Sequence, residues 1–284
     1  MFDAIFCISL ERATERRDFQ QAQLSAFRNA RIITAVDGQA IYPGDMPRDV
    51  RVAPWGWDSG QVEEWLRSLP APLEHVEFIK QFWTRPLLPG EVGCTLSHVR
   101  ALEHVVANDV VSLVIEDDVV FRERFPAACA ALSTHLREHR VAFDLIYLWD
   151  AECCEIGESM NVTTLLRKSR FVYTTTAYVV TPAAARTLLS TAIKKNVIPA
   201  DEWLIACAAT HPNPHVSRMF PPVLTNVLTA VNDEFVALRD CPSTIEHSDS
   251  PQGTCQSTED SAPPVLPPAS GVPPDSSWPS TPVD

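Results

Sequence analysis

The stretch VVSLVIEDD, Val110 to Asp118, decides the fold. Its first six residues are almost all apolar and rich in β-branched side chains, which suits a strand buried on both faces of a parallel sheet. Three consecutive acids follow, with Val119-Val120-Phe121 directly behind them. Carboxylates crowded against apolar neighbours are costly unless something neutralises them. A hard divalent cation does so, because it prefers oxygen ligands. In open parallel sheets, ligands bind beyond the carboxyl ends of the strands, where this triplet falls. Glu116, Asp117 and Asp118 are therefore candidate ligands for Mn²⁺ or Mg²⁺. The alternative is a solvated acidic turn.

Outward from that strand the chain alternates. Residues 90–107 read as a helix in which Val92, Leu96, Val99 and Val106 follow the helical period, and residues 126–138 as another, opened by Pro126. AIFCISL (4–10) and RIITAV (31–36) are further apolar strands around a helix that Thr14 can cap. FDLIYLW (143–149) and FVYTTTAYVV (171–180) are strand-like, Thr181-Pro182 caps a helix to about residue 195, and Asp201 opens one over 202–209. This order specifies an α/β fold with a mostly parallel sheet flanked by helices. Residues 42–89 are irregular and rich in Pro and Trp, with a short helix near 59–68. They suit a lid, an acceptor region or simple surface packing.

From Cys241 the pattern stops. Ten of the 24 Pro residues fall in 241–284, with six acids and no Lys or Arg. The expectation is a globular domain over 1–240 and a disordered Pro/Ser-rich tail over 241–284. A net charge of −13 argues against a nucleic-acid partner. No apolar run reaches the roughly 18 residues of a membrane helix. The N-terminus lacks the basic stretch of a signal peptide, and the 8 Cys form no CxxC pair. These features predict a soluble, reduced, cytoplasmic protein without a transmembrane segment.

Several blocks surround the acidic triplet in order: ISLERATERR (Ile8–Arg17), AVDG (Ala35–Gly38), GEVGCTLSH (Gly90–His98), LVIEDD (Leu113–Asp118), TTAYVVTPAA (Thr175–Ala184) and Pro199–Asp201. In this series the sequence resembles glycosyltransferase family 25, which includes bacterial lipooligosaccharide and collagen-type galactosyltransferases. The resemblance implies a GT-A-like, Rossmann-type fold. It also implies inverting transfer of galactose or glucose from a UDP-sugar to a hydroxyl of a glycan or protein acceptor, with Mn²⁺ or Mg²⁺ as cofactor and lipopolysaccharide biosynthesis as one setting. By that motif Asp117 and Asp118 match the metal-binding acids, with Glu116 either a ligand or a supporting residue.

For the donor, Arg12 and Arg16 stand four apart on a helical face with Arg17 beside them, and a guanidinium is a planar, permanently charged fork suited to phosphate. Ser97 and His98 lie on the helix before the metal strand. His98 can contact the donor, ligate a metal or hydrogen-bond in the core. Glu91 can serve the donor or only cap its helix. Inverting transfer needs a general base. Asp201 is the first candidate, with Glu202 and Asp150 as alternatives. A metal-dependent nucleotidyltransferase or phosphohydrolase, and a non-catalytic nucleotide-sugar-binding protein on a degenerate fold, are the competing readings.

Overall fold

The computed structural model describes residues 1–68, 76–149, 155–156, 160–168, 171–172, 175–231 and 234–239. The tail expected over 241–284 lies outside the described residues, as does Asp150.

The strands in chain order are β1 (Ala4–Ser9), β2 (Ala30–Thr34), β3 (Ser112–Glu116), β4 (Val119–Phe121), β5 (Leu145–Tyr147), β6 (Glu155–Ile156), β7 (Met160–Asn161), β8 (Leu166–Lys168), β9 (Phe171–Val172), β10 (Ala177–Val180), β11 (Val227–Ala230) and β12 (Val236–Leu238). Eight of them form one sheet in the order β2-β1-β3-β10-β5-β11-β8-β7. β2, β1 and β3 are parallel, as are β5 and β11, whereas β10 runs antiparallel to both β3 and β5. β8 is likewise reversed between β11 and β7. Six of the eight strands thus share one direction. The sheet is mostly parallel, with two reversed strands that the apolar runs do not reveal.

The helices are α1 (Thr14–Leu24), α2 (Gly38–Ile41), α3 (Ser59–Arg67), α4 (Val76–Thr84), α5 (Pro89–Asn108), α6 (Phe125–Glu138), α7 (Pro182–Ser190), α8 (Ala200–Ala208) and α9 (Pro214–Met219). Thr14 does not cap α1. It is the first helical residue, and Ala13 at the N-cap makes no side-chain bond. Thr181 does cap α7, its hydroxyl accepting from the Ala184 amide, but α7 ends at Ser190 and a 3-10 turn covers 193–195.

Side chains alternate across a strand, and the sheet buries both of its faces. On β1, Ala4, Phe6 and Ile8 enter one apolar cluster, with Val92, Val99 and Leu102 of α5. Ile5 and Cys7 enter the other, with Leu24 of α1 and Phe125, Ala128 and Leu132 of α6. On β10, Tyr178 and Val180 face α5 while Ala177 and Val179 face the α1–α6 side. The continuous apolar runs are a consequence of this double coverage.

The irregular segment 42–89 carries α3 and α4 and contributes to the first cluster. Trp55, Trp57 and Trp83 are buried, and the rings of Trp57, Trp65 and Trp83 pack with centroids 5.0–6.1 Å apart. Backbone bonds from Arg51 to Lys194 and from Ala53 to Val197 fasten its start to the turn before α8. Among the described residues no helix is long and apolar enough to cross a membrane.

Candidate active site

The ordered sequence blocks converge at the carboxyl ends of β1 and β3. Gly38 and Gly93 make the junction. A Cβ on Gly38 would stand 1.7 Å from the Pro89 carbonyl oxygen, and one on Gly93 would stand 2.6 Å from both the Gly38 amide nitrogen and the Val36 carbonyl oxygen. Only glycine lets these backbones touch. Ser97 locks the junction: its hydroxyl accepts from the Val36 amide at 2.8 Å and donates to the Gly93 carbonyl at 2.6 Å. Its oxygen is thus held by the fold.

An open cleft of about 240 Å³ lies over this junction. Ser9, Arg12, Arg16, Asp37, Cys94, Ser97, His98, the acids Glu116–Asp118 and Arg239 are among its lining residues. Of the expected site residues, Glu91 and Asp201 do not line it. Glu91 is buried under Arg85, which donates to both of its oxygens at 2.6 and 2.9 Å, and it accepts from the Leu88 amide. It caps α5 and ties the end of the Trp-rich segment to that helix.

The three acids have distinct environments. Asp117 is clamped: Ser9 Oγ donates to Oδ2 at 2.6 Å, and Arg16 Nη1 to Oδ1 at 2.9 Å. The Gln20 side-chain amide donates to the carbonyls of Asp117 and Val119, fixing the turn between β3 and β4. Glu116 accepts from Thr175 Oγ1 at 2.6 Å and faces His98 Nε2 at 3.5 Å. Burial pushes its carboxyl up, but His98, the Thr175 hydroxyl and Arg16 outweigh that and hold it below the usual carboxylate range. Asp118 is the opposite case. Its Oδ1 is buried without a hydrogen-bond partner. Burial, then repulsion from Glu116 and Asp117, pushes its carboxyl up to about 7.

Arg12 donates through Nε to Asp37 at 2.8 Å, holding that carboxyl below its ordinary range, and keeps half of its side chain exposed at the cleft. Arg16, only 12% exposed, is committed to Asp117. Arg17 donates to the Ser9 carbonyl. His98 is buried on α5, its Nδ1 paired with the Tyr178 hydroxyl at 3.0 Å. Tyr178 is otherwise sheet core, as its place in an apolar strand predicts.

At the start of α8, Asp201 and Glu202 form a second pair of adjacent acids. Glu202 is fully buried, with Trp83 Nε1 at 2.6 Å from one oxygen and His211 Nε2 at 2.5 Å from the other. Both oxygens of Glu202, an alternative base by its place in the sequence, are thus engaged in the core. Asp201 accepts only from the Glu202 amide among the described side-chain bonds. Burial, followed by the neighbouring Glu202 charge, pushes it up to about 8, and it lies within electrostatic reach of Glu116, Glu91 and Cys94.

Sequence reasoning missed Ser9, Asp37, Thr175, Cys94 and Arg239 as parts of this site. Arg239 follows β12, which pairs with β4. Its amide donates to the Asp118 carbonyl at 2.7 Å and its guanidinium pairs with Glu15. Nothing in the residues just before the Pro/Ser-rich tail signals this.

The model of a family described as "Glycosyltransferase family 25 (LPS biosynthesis protein)" matches residues 2–204. The chain is 30% identical over 225 residues to the human inactive glycosyltransferase 25 family member 3, covering 78% of this chain and 34% of that protein. It is 29% identical over 225 residues to procollagen galactosyltransferase 1 of Danio rerio, with 78% and 34% covered. It is 28% identical over 218 residues to human procollagen galactosyltransferase 2, with 74% and 31% covered. The chain spans about a third of the length of these curated relatives.

Proposed function

The chain belongs to glycosyltransferase family 25, and from that premise we propose that it transfers a hexose, galactose or glucose, from a UDP-sugar to a hydroxyl of a glycan or protein acceptor. The transfer inverts the anomeric carbon and depends on Mn²⁺ or Mg²⁺. The observation that carries this reading is Asp118: a buried carboxylate oxygen without a partner, beside Glu116, at the carboxyl edge of the sheet. Such an oxygen is costly unless a cation meets it. Glu116 and Asp118 both line the cleft, so these two would hold the ion, while Asp117 is occupied by Ser9 and Arg16. The bound ion supplies charge for the departing diphosphate as a Lewis acid.

The chain's own residues divide the remaining work. Arg12, half-exposed at the cleft, meets the diphosphate as a fork. Arg16 keeps Asp117 in place and lends positive charge to the site. Asp201, whose carboxyl is pushed up to about 8, is matched to taking a hydroxyl proton from the acceptor near neutral pH.

The test is a donor screen in which the protein and Mn²⁺ are incubated with each common UDP-sugar and an acceptor hydroxyl, and UDP release is measured. Stimulation by one UDP-hexose supports the reading; no release from any donor by a folded sample contradicts it. A second reading, a nucleotide-sugar-binding protein without turnover, is favoured by the relatives named as inactive. It gives UDP-sugar binding in the same screen without release.

A further inference from the structure

One group in the cleft has no role in the transfer just described. Cys94 and His98 are four residues apart on α5 and so share a face, and that face meets Glu116. The thiol, an imidazole nitrogen and a carboxylate oxygen of these three all lie within 4.8 Å of one another. His98 is 1% exposed, yet its Nε2 has no hydrogen-bond partner. That nitrogen stands 3.5 Å from Glu116 Oε1, long for a hydrogen bond. It is close to the edge of a tetrahedron built on zinc–nitrogen and zinc–oxygen bonds, about 3.4 Å.

We propose that Cys94, His98 and Glu116 form a second metal site, which takes a borderline transition ion such as Zn²⁺ and, when filled, withdraws Glu116 from the hard-cation pair. The donor set selects the metal. A thiolate and an imidazole favour Zn²⁺ over Mg²⁺ or Mn²⁺, which prefer oxygen alone. Supporting bonds of the kind that orient metal ligands are already made: the Tyr178 hydroxyl holds His98 Nδ1, and the Thr175 hydroxyl donates to Glu116. All three ligands line the cleft, so a fourth position opens to solvent or substrate. Burial and the nearby carboxylates keep the Cys94 thiol protonated in the metal-free protein, and its proton leaves to solvent as the metal–sulfur bond forms.

The consequence for activity rests on the assignment of Glu116 to the hard-cation pair: Zn²⁺ inhibits UDP release and excess Mn²⁺ relieves it. The binding site itself is tested without activity. Co²⁺ is titrated into the full-length, reduced, metal-free protein and followed by absorption. The expected result is a thiolate-to-cobalt charge-transfer band that saturates at one equivalent and is displaced by Zn²⁺. Cys94→Ser abolishes the band and weakens Zn²⁺ binding at least about tenfold, His98→Asn weakens it likewise, and Asp118→Asn leaves the band in place. No band in the wild-type protein overturns the proposal, as does a band that survives in Cys94→Ser and so belongs to another cysteine. A cobalt band without transferase activity separates failure of the proposed transfer from failure of this site.

Discussion

Two pairs of adjacent acids, Asp117–Asp118 at the end of β3 and Asp201–Glu202 at the start of α8, are built alike. In each pair one carboxylate has both oxygens occupied, Asp117 by Ser9 and Arg16, Glu202 by Trp83 and His211. In each, the other is left underpaired and pushed up, Asp118 to about 7 and Asp201 to about 8. The pairs differ in what the anchor holds. Asp117 ties the turn at the cleft to the Arg16 guanidinium. Glu202 stitches α8 to the Trp-rich segment through two ring N–H groups. In the proposed transfer the fully hydrogen-bonded acid of each pair maintains structure, and its poorly paired neighbour carries the chemistry.

The largest expected effect comes from removing an underpaired acid. Asp118→Asn should lower UDP-sugar turnover by about a thousandfold or more, the several kcal/mol that charge stabilisation by a metal is worth, while circular dichroism stays native. Retained turnover would erase the distinction between Asp118 and its neighbour. Asp201→Asn should lower kcat by about 10²–10⁴. The wild-type kcat/KM should climb with pH and level off above about 8, because Asp201 must lose its proton to act as a base. A flat profile would move the base elsewhere.

Anchors should fail through stability. Glu202→Ala removes the buried acceptor of the Trp83 and His211 ring nitrogens, so it should cost about 3–5 kcal/mol in urea unfolding. The smallest effect is a gain. The Asp118 carboxyl has an ordinary value of 3.8 and is pushed up to about 7 in the fold. Between those values the folded protein binds more protons than the unfolded chain, so stability falls as pH rises through the window. Asp118→Asn should flatten that slope without metal and stabilise the protein at pH 8 by up to about 4 kcal/mol, seen as a higher Tm.

The buried strands β1, β3, β5 and β10 were legible because both faces of the sheet are covered there and the apolar runs are therefore continuous, as was the long helix α5; β7, β8, β11 and β12 were not expected. β10 was not legible as a reversed strand, since a strand buried on both faces reads the same in either direction, and β8, with only Leu166 buried, carries no apolar run at all. AVDG and GEVGC were visible as blocks, but not as one junction. Backbone contact between Gly38 and Gly93 leaves no periodicity. The acidic triplet was legible as a cluster at a strand end, whereas the different surroundings of its three carboxylates were not. Sequence order favoured Asp117 and Asp118 together, but Ser9 and Arg16, over a hundred positions away, occupy Asp117. The partners of Glu91 and Glu202 were hidden for the same reason, because Arg85, Trp83 and His211 meet them only after folding.

The most direct test of this division is thermal unfolding with UDP in the presence and absence of Mn²⁺, for the wild type, Asp118→Asn and Asp117→Asn. UDP should raise the wild-type Tm only with Mn²⁺, and that shift should vanish in Asp118→Asn. In Asp117→Asn the shift should persist above a lowered baseline. An undiminished metal-dependent shift in Asp118→Asn would place the metal on other residues.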